Sequence, residues 1–416
     1  MRKWLLALPL VFLAAAACLP AGQAGAQIRV STPQDKFLTF DEVVMLRGRV
    51  APAAKLTIEN IPFKAAPDGA FAVGLVLKPG KNLVLIRAGE EEKRLRVLRL
   101  ITYPDVETAY EGKKHWARGQ IVYLATLGVI EGYPDGSFSP GNPVTRGEFA
   151  TWLAKVKGLP TEKLTADVFF DVPKEHWRAP DVKAVTDAGY MAPYSKETFG
   201  LDDPISRAEA ADLAVKTEGL AITSKLVPLF RDVPQEGKGA APIYIAKEKG
   251  LVIGVSKDLP IYDPTRAISR AEAATLISRF ASAQGQVARL ADFETGYTGE
   301  RFCGLNVAPV VVSFKANPAR LTLNQTTSVK LRAEIASRES FAPISKVKVD
   351  LSAIGGVPDA EMYDDGERGD EIAGDLVYSL NISYQPKQAG EKRFEVTAVD
   401  RLGWPGQGEA SLLIVE

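Results

Sequence analysis

A tandem repeat dominates the middle of this 416-residue chain. The segment HWARGQIVYLATLGVI matches HWRAPDVKAVTDAGYM about 61 residues later, and both align with GAAPIYIAKEKGLVI. In each copy apolar residues recur at helical spacing before a glycine that is typical of a helix end. Such a helix has an apolar stripe that only its neighbours can cover. The repeat therefore predicts three units that pack together, repeat 1 at 103–158, repeat 2 at 159–220 and repeat 3 at 221–284.

A second helix is predicted in each repeat, and it begins with a capping box. In such a box the cap side chain accepts a hydrogen bond from an amide three residues on, and a glutamate there returns one to the cap amide. The three pairs are Thr145 with Glu148, Ser206 with Glu209, and Ser269 with Glu272. An arginine follows each cap directly: Arg146, Arg207 and Arg270. A cation there faces the positive end of the helix dipole, so helix formation does not account for it.

These motifs resemble those of S-layer homology domains. Repeat 1 carries YPDV, GVIEGYPDGSFSP and TRGE; repeat 2 carries FFDV and SRAE; repeat 3 carries FRDV and SRAE. Repeat 2 has lost part of the glycine pattern in its loop, and repeat 3 lacks the early tryptophan. The resemblance implies a central all-α pseudo-threefold bundle of three repeats. It also implies grooves that hold a cell-envelope glycan, either an acidic secondary wall polymer or modified peptidoglycan.

Five residues are candidate glycan contacts by this resemblance: Arg146, Arg207, Arg270, Trp116 and Trp177. Their chemistry favours the same role, because free amides at a helix N-terminus attract anions and a guanidinium binds a carboxylate through two hydrogen bonds. Two alternatives stay open. The arginines could form salt bridges between repeats, and the tryptophans could fill the core instead of stacking on sugar rings.

Segments with the pattern of short β-strands flank the repeats. Residues 27–102 predict an N-terminal β-sandwich that resembles bacterial immunoglobulin-like modules, and residues 306–416 predict a second immunoglobulin-like β-sandwich after a linker at 285–305. The predicted fold class is therefore multidomain, with a sandwich on each side of the helical bundle. An acidic turn from Asp364 to Asp375 departs from the order of an EF-hand loop. We expect a solvated turn there, with calcium binding as the alternative.

The first residues have the pattern of a secretory signal peptide. Arg2 and Lys3 precede an apolar stretch, and an Ala-Gly-Ala sequence at residues 24–26 offers a cleavage site before Gln27. The stretch is short for a transmembrane span. This predicts export to the cell wall, cell surface or periplasmic envelope. Lipidation of Cys18 is the alternative.

Composition limits the remaining function classes. Lys plus Arg equals Asp plus Glu, at 51 each, so no global field attracts nucleic acid. Two histidines one repeat apart do not predict a zinc site, and no motif predicts a cofactor or a catalytic centre. The sequence therefore predicts a non-catalytic envelope protein that binds wall polysaccharide or peptidoglycan. Its β-sandwiches would be free to contact other envelope proteins. An accessory or weakly catalytic wall-glycan-processing protein is the alternative.

Overall fold

The computed structural model describes residues 28–108, 114–221, 230–234, 239–255, 259–291, 309–336, 344–371, 376–400 and 405–416. The chain divides into two units. The first runs to Val97 and excludes two short segments, Leu38–Asp41 and Lys78–Asn82. Those segments belong to the second unit, which otherwise runs from Leu98 to Glu416.

Eight strands precede the repeats and form two sheets. They are β1 (Arg29–Thr32), β2 (Phe37–Thr39), β3 (Val43–Arg49), β4 (Leu56–Ile58), β5 (Ile61–Phe63), β6 (Ala70–Val76), β7 (Gly80–Ala88) and β8 (Glu91–Arg99). The sheets have the orders β1-β3-β6 and β2-β8-β7-β4-β5. Alternate residues of each strand point to one face. Leu46 of β3 and Ile86 of β7 are therefore buried in one core that both sheets share.

Eight further strands follow the repeats. They are β9 (Val310–Asn317), β10 (Arg320–Thr322), β11 (Thr327–Ala336), β12 (Ile344–Val349), β13 (Ala360–Met362), β14 (Val377–Tyr384), β15 (Gly390–Asp400) and β16 (Pro405–Val415), with a one-turn helix at Ser352–Ile354. The sheets have the orders β10-β16-β15-β12-β13 and β14-β11-β9. Leu331 of β11 and Phe394 of β15 lie in the core between them.

The repeats contain eight helices in the described residues. They are α1 (Pro104–Glu107), α2 (Arg118–Thr126), α3 (Arg146–Lys157), α4 (Ala179–Asp187), α5 (Arg207–Thr217), α6 (Ala240–Glu248), α7 (Arg270–Ser278) and α8 (Ala281–Ala291). The aligned positions Ile121, Val182 and Ile243 are all buried, in a single core that spans the three repeats. The apolar stripe of each first helix is thus covered by other repeats, as the periodicity predicts.

The prediction of a central all-α bundle is wrong. The described residues contain more strand than helix, and the eight helices are short, from four to twelve residues. Long loops separate the helices, and their backbones form β-bridges between repeats: Pro143 with Ser269, Thr145 with Pro204, and Ser206 with Ala267. The loops carry part of the packing because their backbone polar groups need partners once they are buried.

The last helix extends beyond the predicted end of repeat 3. Helix α8 continues to Ala291, where the sequence suggests a linker from residue 285. Its Val287 and Leu290 lie in the core of the repeats. The signal-peptide residues, Cys18 and most of the linker lie outside the described residues.

In the described part of the chain, none of the helices has both the length and the apolar character needed to cross a bilayer.

Candidate functional site

The second helix of each repeat begins as the capping pattern predicts. Thr145 accepts a hydrogen bond from the Glu148 amide, and the Glu148 carboxylate accepts one from the Thr145 amide, so that the box at α3 is complete. Ser269 and Glu272 form the same box at α7. At α5 the Ser206 hydroxyl accepts from the Glu209 amide, which is the first half of the box.

The first two amides of these helices donate to backbone carbonyls of a neighbouring repeat. At α3 the Arg146 amide donates to the Asp203 oxygen at 2.8 Å and the Gly147 amide to the Leu201 oxygen at 2.8 Å. The same pairs recur at α5 with Arg266 and Pro264 as acceptors, and at α7 with Asn142 and Pro140. These helix N-termini are therefore capped from outside. Their first amides are not available to an anion.

The three arginine side chains follow one pattern of contacts. All are at most 5% exposed, and each Nε donates to a carbonyl in the next repeat. Each Nη1 donates to the capping glutamate of that repeat. Arg146 binds Glu209, Arg207 binds Glu272 at 2.8 Å, and Arg270 binds Glu148 at 2.7 Å. Repeat 1 is thereby linked to 2, repeat 2 to 3 and repeat 3 back to 1. The inter-repeat salt bridge left open by the sequence is present at all three places.

The capping glutamates differ in their electrostatic surroundings. Burial raises the pKa of Glu209 above its usual value despite the charge of Arg146. Burial acts in the same direction on Glu272, but hydrogen bonds from Arg266 and the charge of Arg207 outweigh it, so the pKa of Glu272 is lowered. Glu272 is therefore the better stabilised anion of the two.

The motif aspartates hold the loop before each second helix. Asp171 accepts hydrogen bonds from the amides of Phe199 at 2.8 Å, Gly200 at 2.6 Å and Leu201 at 3.1 Å. Asp105 and Asp232 do the same with two amides each. Our sequence reading assigned these aspartates no role. The sequence signal for such a role is that each aspartate stands in the repeated F-x-D-V motif.

The two predicted tryptophans lie in different surroundings. Trp116 is half-buried and lines a cavity of about 270 Å³ between repeats. Trp177 is 61% exposed, and the Arg178 guanidinium lies 3.8 Å from the centre of its ring. Arg178 also approaches Glu131 at 3.3 Å and Glu148 at 3.9 Å. The position equivalent to Arg178 in repeat 1 is Ala117.

We call the cavity beside Trp116 the Trp116 groove. Its described walls include Trp116 from repeat 1, Arg207 from repeat 2, and Tyr262, Arg266, Glu272 and Arg279 from repeat 3. Among these lining residues three guanidinium groups face one carboxylate, which leaves a net charge of two positive units. The groove thus combines an aromatic surface with excess positive charge. Such a site suits an acidic ligand with a flat apolar face.

Of the five candidate residues, Trp116 and Arg207 meet in this groove. Arg146, Arg270 and Trp177 lie at the corresponding places of the other two repeat junctions. A glycan-contact role for all five stays a prediction. Arg266 and Arg279 are groove residues that the sequence reading missed, because neither stands in the repeated motif.

The metal and calcium sites considered in the sequence analysis are separate questions from the groove. Within the described residues there is no group of three or more His, Cys, Asp or Glu side chains placed to hold a metal ion. In the acidic turn, Asp370 accepts from the Gly366 amide and Asp364 from the Leu376 amide, as turn carboxylates do. Asp375 lies outside the described residues.

Comparison with protein families gives matches within the first two repeats. The model of the S-layer homology domain matches residues 112–150 and 169–211, within repeats 1 and 2. S-layer protein EA1 of Bacillus anthracis is 30% identical over 57% of this chain and 25% of its own length. A cellulosome-anchoring protein of Acetivibrio thermocellus is 29% identical over 44% of this chain and 41% of its own. An uncharacterized cell wall amidase of Bacillus anthracis is 31% identical over 40% of this chain and 30% of its own. The chain thus spans less than half the length of each of these relatives.

Proposed function

We propose that this chain, which carries S-layer homology repeats, anchors to an acidic cell-wall glycan through those repeats and does so without catalysis. The observation that carries the proposal is the Trp116 groove, in which one tryptophan and three arginines surround a cavity of about 270 Å³. That volume is near the lower end of ligand pockets, which matches one or two sugar rings better than a long chain.

The chemistry of the groove suits a sugar acid. The Trp116 ring offers a broad flat surface for the apolar face of a sugar ring. An arginine at the groove holds a carboxylate or phosphate by charge-assisted hydrogen bonds, which are stronger than neutral ones. Arg207 already donates to Glu272 and two carbonyls, so its part is to add positive charge beside the ligand. Arg146, Arg270 and Trp177 retain their proposed glycan contacts at the other junctions.

Location and partners follow from the same proposal. The predicted signal peptide sends the chain out of the cytoplasm, and several relatives are S-layer or anchoring proteins. We place the protein at the cell wall or cell surface, bound to wall polysaccharide or peptidoglycan. The domains at 27–102 and 306–416 would then be the parts displayed to other envelope proteins.

Sedimentation with purified cell wall tests the anchoring. We expect the protein to sediment with the wall, and Trp116→Ala to weaken this by roughly 10-fold, since covering about 60 Å² of apolar surface contributes about 1.5 kcal/mol. Trp177→Ala is the matched control and should have the smaller effect. Both variants must first show the melting temperature of a folded protein. Failure of the unaltered protein to sediment at low salt would refute the proposal.

The same incubation addresses the alternative of a wall-processing protein. Relatives include a cell wall amidase and an exoglucanase, so that repeats of this kind also occur in proteins named for enzymes. We expect no sugar or peptide in the supernatant above a heat-treated control. Release of either would favour the processing function.

A further inference from the structure

Strand β6 (Ala70–Val76) is an open edge of the three-stranded sheet that precedes the repeats. It pairs with β3 on one side, and among the described residues no strand pairs with it on the other. The Leu77 amide donates to the Glu42 oxygen at 2.8 Å, so Leu77 faces β3. Successive residues of a strand direct their backbone groups to alternate sides. The amides and carbonyls of Ala72 and Gly74 therefore point away from β3, where a further strand could pair with them.

The other edges of the two N-terminal sheets are protected against such pairing. Strand β1 has four residues, and its register with β3 is irregular between Val30 and Thr32. Strands β2 and β5 have three residues each, and β5 contains Pro62, which lacks an amide hydrogen. Short length, irregular register and proline all hinder association of sheet edges. Strand β6 has seven residues, no proline and no charged side chain, so it lacks these protections.

The sequence of β6 is complementary to itself in an antiparallel arrangement. When two copies of the strand overlap along their whole length, Val73 lies opposite its own counterpart, Phe71 opposite Leu75, and Ala72 opposite Gly74. Residues that face each other then belong to the same side of the joined sheet, as the alternation of a strand requires. Every opposed pair is apolar, so no like charges meet between the two strands.

The outer face of the sheet also favours a second copy. Val43 of β3 lies opposite Val76, and the two side chains are 54% and 73% exposed. In the joined sheet Val76 lies opposite Ala70 of the second copy, which removes apolar area from water. Arg47 and Arg49 lie on β3, one strand away from the edge. The arginines of two copies are then at least three strand spacings apart, about 14 Å, which exceeds the Debye length in physiological salt.

We propose that two copies of this chain pair through β6 and join their three-stranded sheets into one continuous sheet of the order β1-β3-β6-β6-β3-β1. The contact has two-fold symmetry, so each strand gives and receives the same backbone hydrogen bonds. This pairing concerns the residues before the repeats and does not depend on the proposed anchoring function. If the repeats do bind the wall, two joined copies bring two sets of repeats to it, and the second attachment becomes intramolecular.

Analytical ultracentrifugation of the full chain tests the pairing. We expect the unaltered protein to show a concentration-dependent equilibrium between monomer and dimer. Ala72→Lys places two lysines about 7–8 Å apart across the joined edge and should raise the dissociation constant of the dimer by at least about 10-fold. The matched control is Ser31→Lys on β1, the opposite edge of the same sheet, because Ser31 and Ala72 both neighbour Arg47. The control should dimerise as the unaltered protein does, and both variants must keep its melting temperature.

Two further measurements address the register and the edge itself. Adding Gly74→Glu to Ala72→Lys places a glutamate opposite each lysine and should restore the dimer. In the unaltered protein, the amides of β6 should exchange hydrogen more slowly at high protein concentration than at low, whereas those of β1 should not change. A dimer that Ala72→Lys leaves unchanged would overturn the proposal, since its contact would lie elsewhere. A protein that stays monomeric at every concentration would also overturn it, even if a different envelope protein bound the same edge.

Discussion

At the scale of single residues, the motif arginines are components of the packed interior. Arg270 is 1% exposed and Glu148 is 5% exposed, and the guanidinium also lies over the rings of Tyr133, Phe138 and Trp152. Three donors of Arg270 reach acceptors in repeat 1. The cation at the positive end of the helix is tolerated because these acceptors surround it and because neighbouring carbonyls cap the helix amides.

Removal of such a residue should destabilise the protein strongly. Arg270→Ala leaves Glu148 buried without its main counter-charge, and breaking a buried pair costs about 3–5 kcal/mol. Lys183→Ala breaks the exposed pair with Asp187 and should cost less than about 1 kcal/mol. Urea denaturation of both variants measures the difference. Equal free energies of unfolding for the two variants would contradict a structural role for Arg270.

His115 gives the stability a pH dependence. Its Nδ1 accepts a hydrogen bond from the Ala117 amide at 3.1 Å, and burial lowers the pKa of His115. The unfolded state, with a pKa of about 6.5, therefore binds a proton more readily than the folded state. The corresponding stability is present above about pH 6.5 and is lost as the pH falls through the folded pKa.

We therefore expect the melting temperature to fall as the pH is lowered from 7 toward 5, and His115→Asn to reduce that fall. In the variant, His176 is the remaining histidine of the chain. Melting curves at half-unit pH steps make the measurement. If the melting temperature of His115→Asn fell with pH as steeply as that of the unaltered protein, His115 would not contribute to the pH dependence.

At the scale of elements, equivalent loops of different repeats carry different charges. Arg207 Nη2 donates to the Ile253 oxygen, and Arg270 Nη2 donates to the oxygen of Glu131 at the same place in repeat 1. In repeat 1 the Glu131 side chain pairs with Lys155 and Arg178, so that a carboxylate lies at the junction near Trp177. Ile253 places no charge in the Trp116 groove.

Introducing the repeat 1 residue into repeat 3 should block an acidic ligand. Ile253→Glu adds a carboxylate to the groove and lowers its excess positive charge from two units to one. Wall binding should weaken by roughly 10-fold, since a nearby like charge at an effective dielectric constant of about 20 costs on the order of 1 kcal/mol or more. Ile253→Gln is the control, because glutamine has the shape of glutamate without its charge. This variant should bind nearly as well as the unaltered protein. Equal binding of the two variants would argue against an anionic ligand in this groove.

At the scale of the whole molecule, the three repeats depend on one another. The contacts of the motif arginines run from repeat 1 to 2, from 2 to 3 and from 3 to 1, so that each of these arginines has its glutamate partner in another repeat. Helix α8 contributes Val287 and Leu290 to the shared core, and Gln286 donates to the Val156 oxygen of repeat 1 at 3.0 Å. Residues beyond the last motif are therefore part of the folded unit.

A fragment of residues 103–158 should be largely unfolded, and a fragment of residues 103–291 should melt in one cooperative transition. A fragment that stops at residue 284 should melt at a lower temperature than the one that reaches 291, because it lacks the second half of α8. Circular dichroism during heating measures all three. A cooperative transition in the single repeat would show that the repeats fold independently.

Local patterns in the sequence predicted where the second helix of each repeat begins, and they revealed the repeat and its motif. A capping box joins residues only three apart, and an apolar stripe recurs every three or four residues, so both are visible without a structure. The resemblance carried by these motifs implied an all-α bundle, which is wrong because the motifs do not show that loop backbones pair between repeats.

The tertiary structure alone decided the partners of each side chain. Arg270 meets the Glu148 side chain 122 residues away and the Glu131 oxygen 139 residues away. The repeat shows which positions of the three copies are equivalent, but it does not show which of them come into contact. The exchange of Arg178 for Ala117, and of a surface lysine for the buried Arg279, is visible in the sequence as isolated differences between repeats. The groove beside Trp116 depends on three repeats meeting at one place, and folding brings its lining residues together through long-range packing.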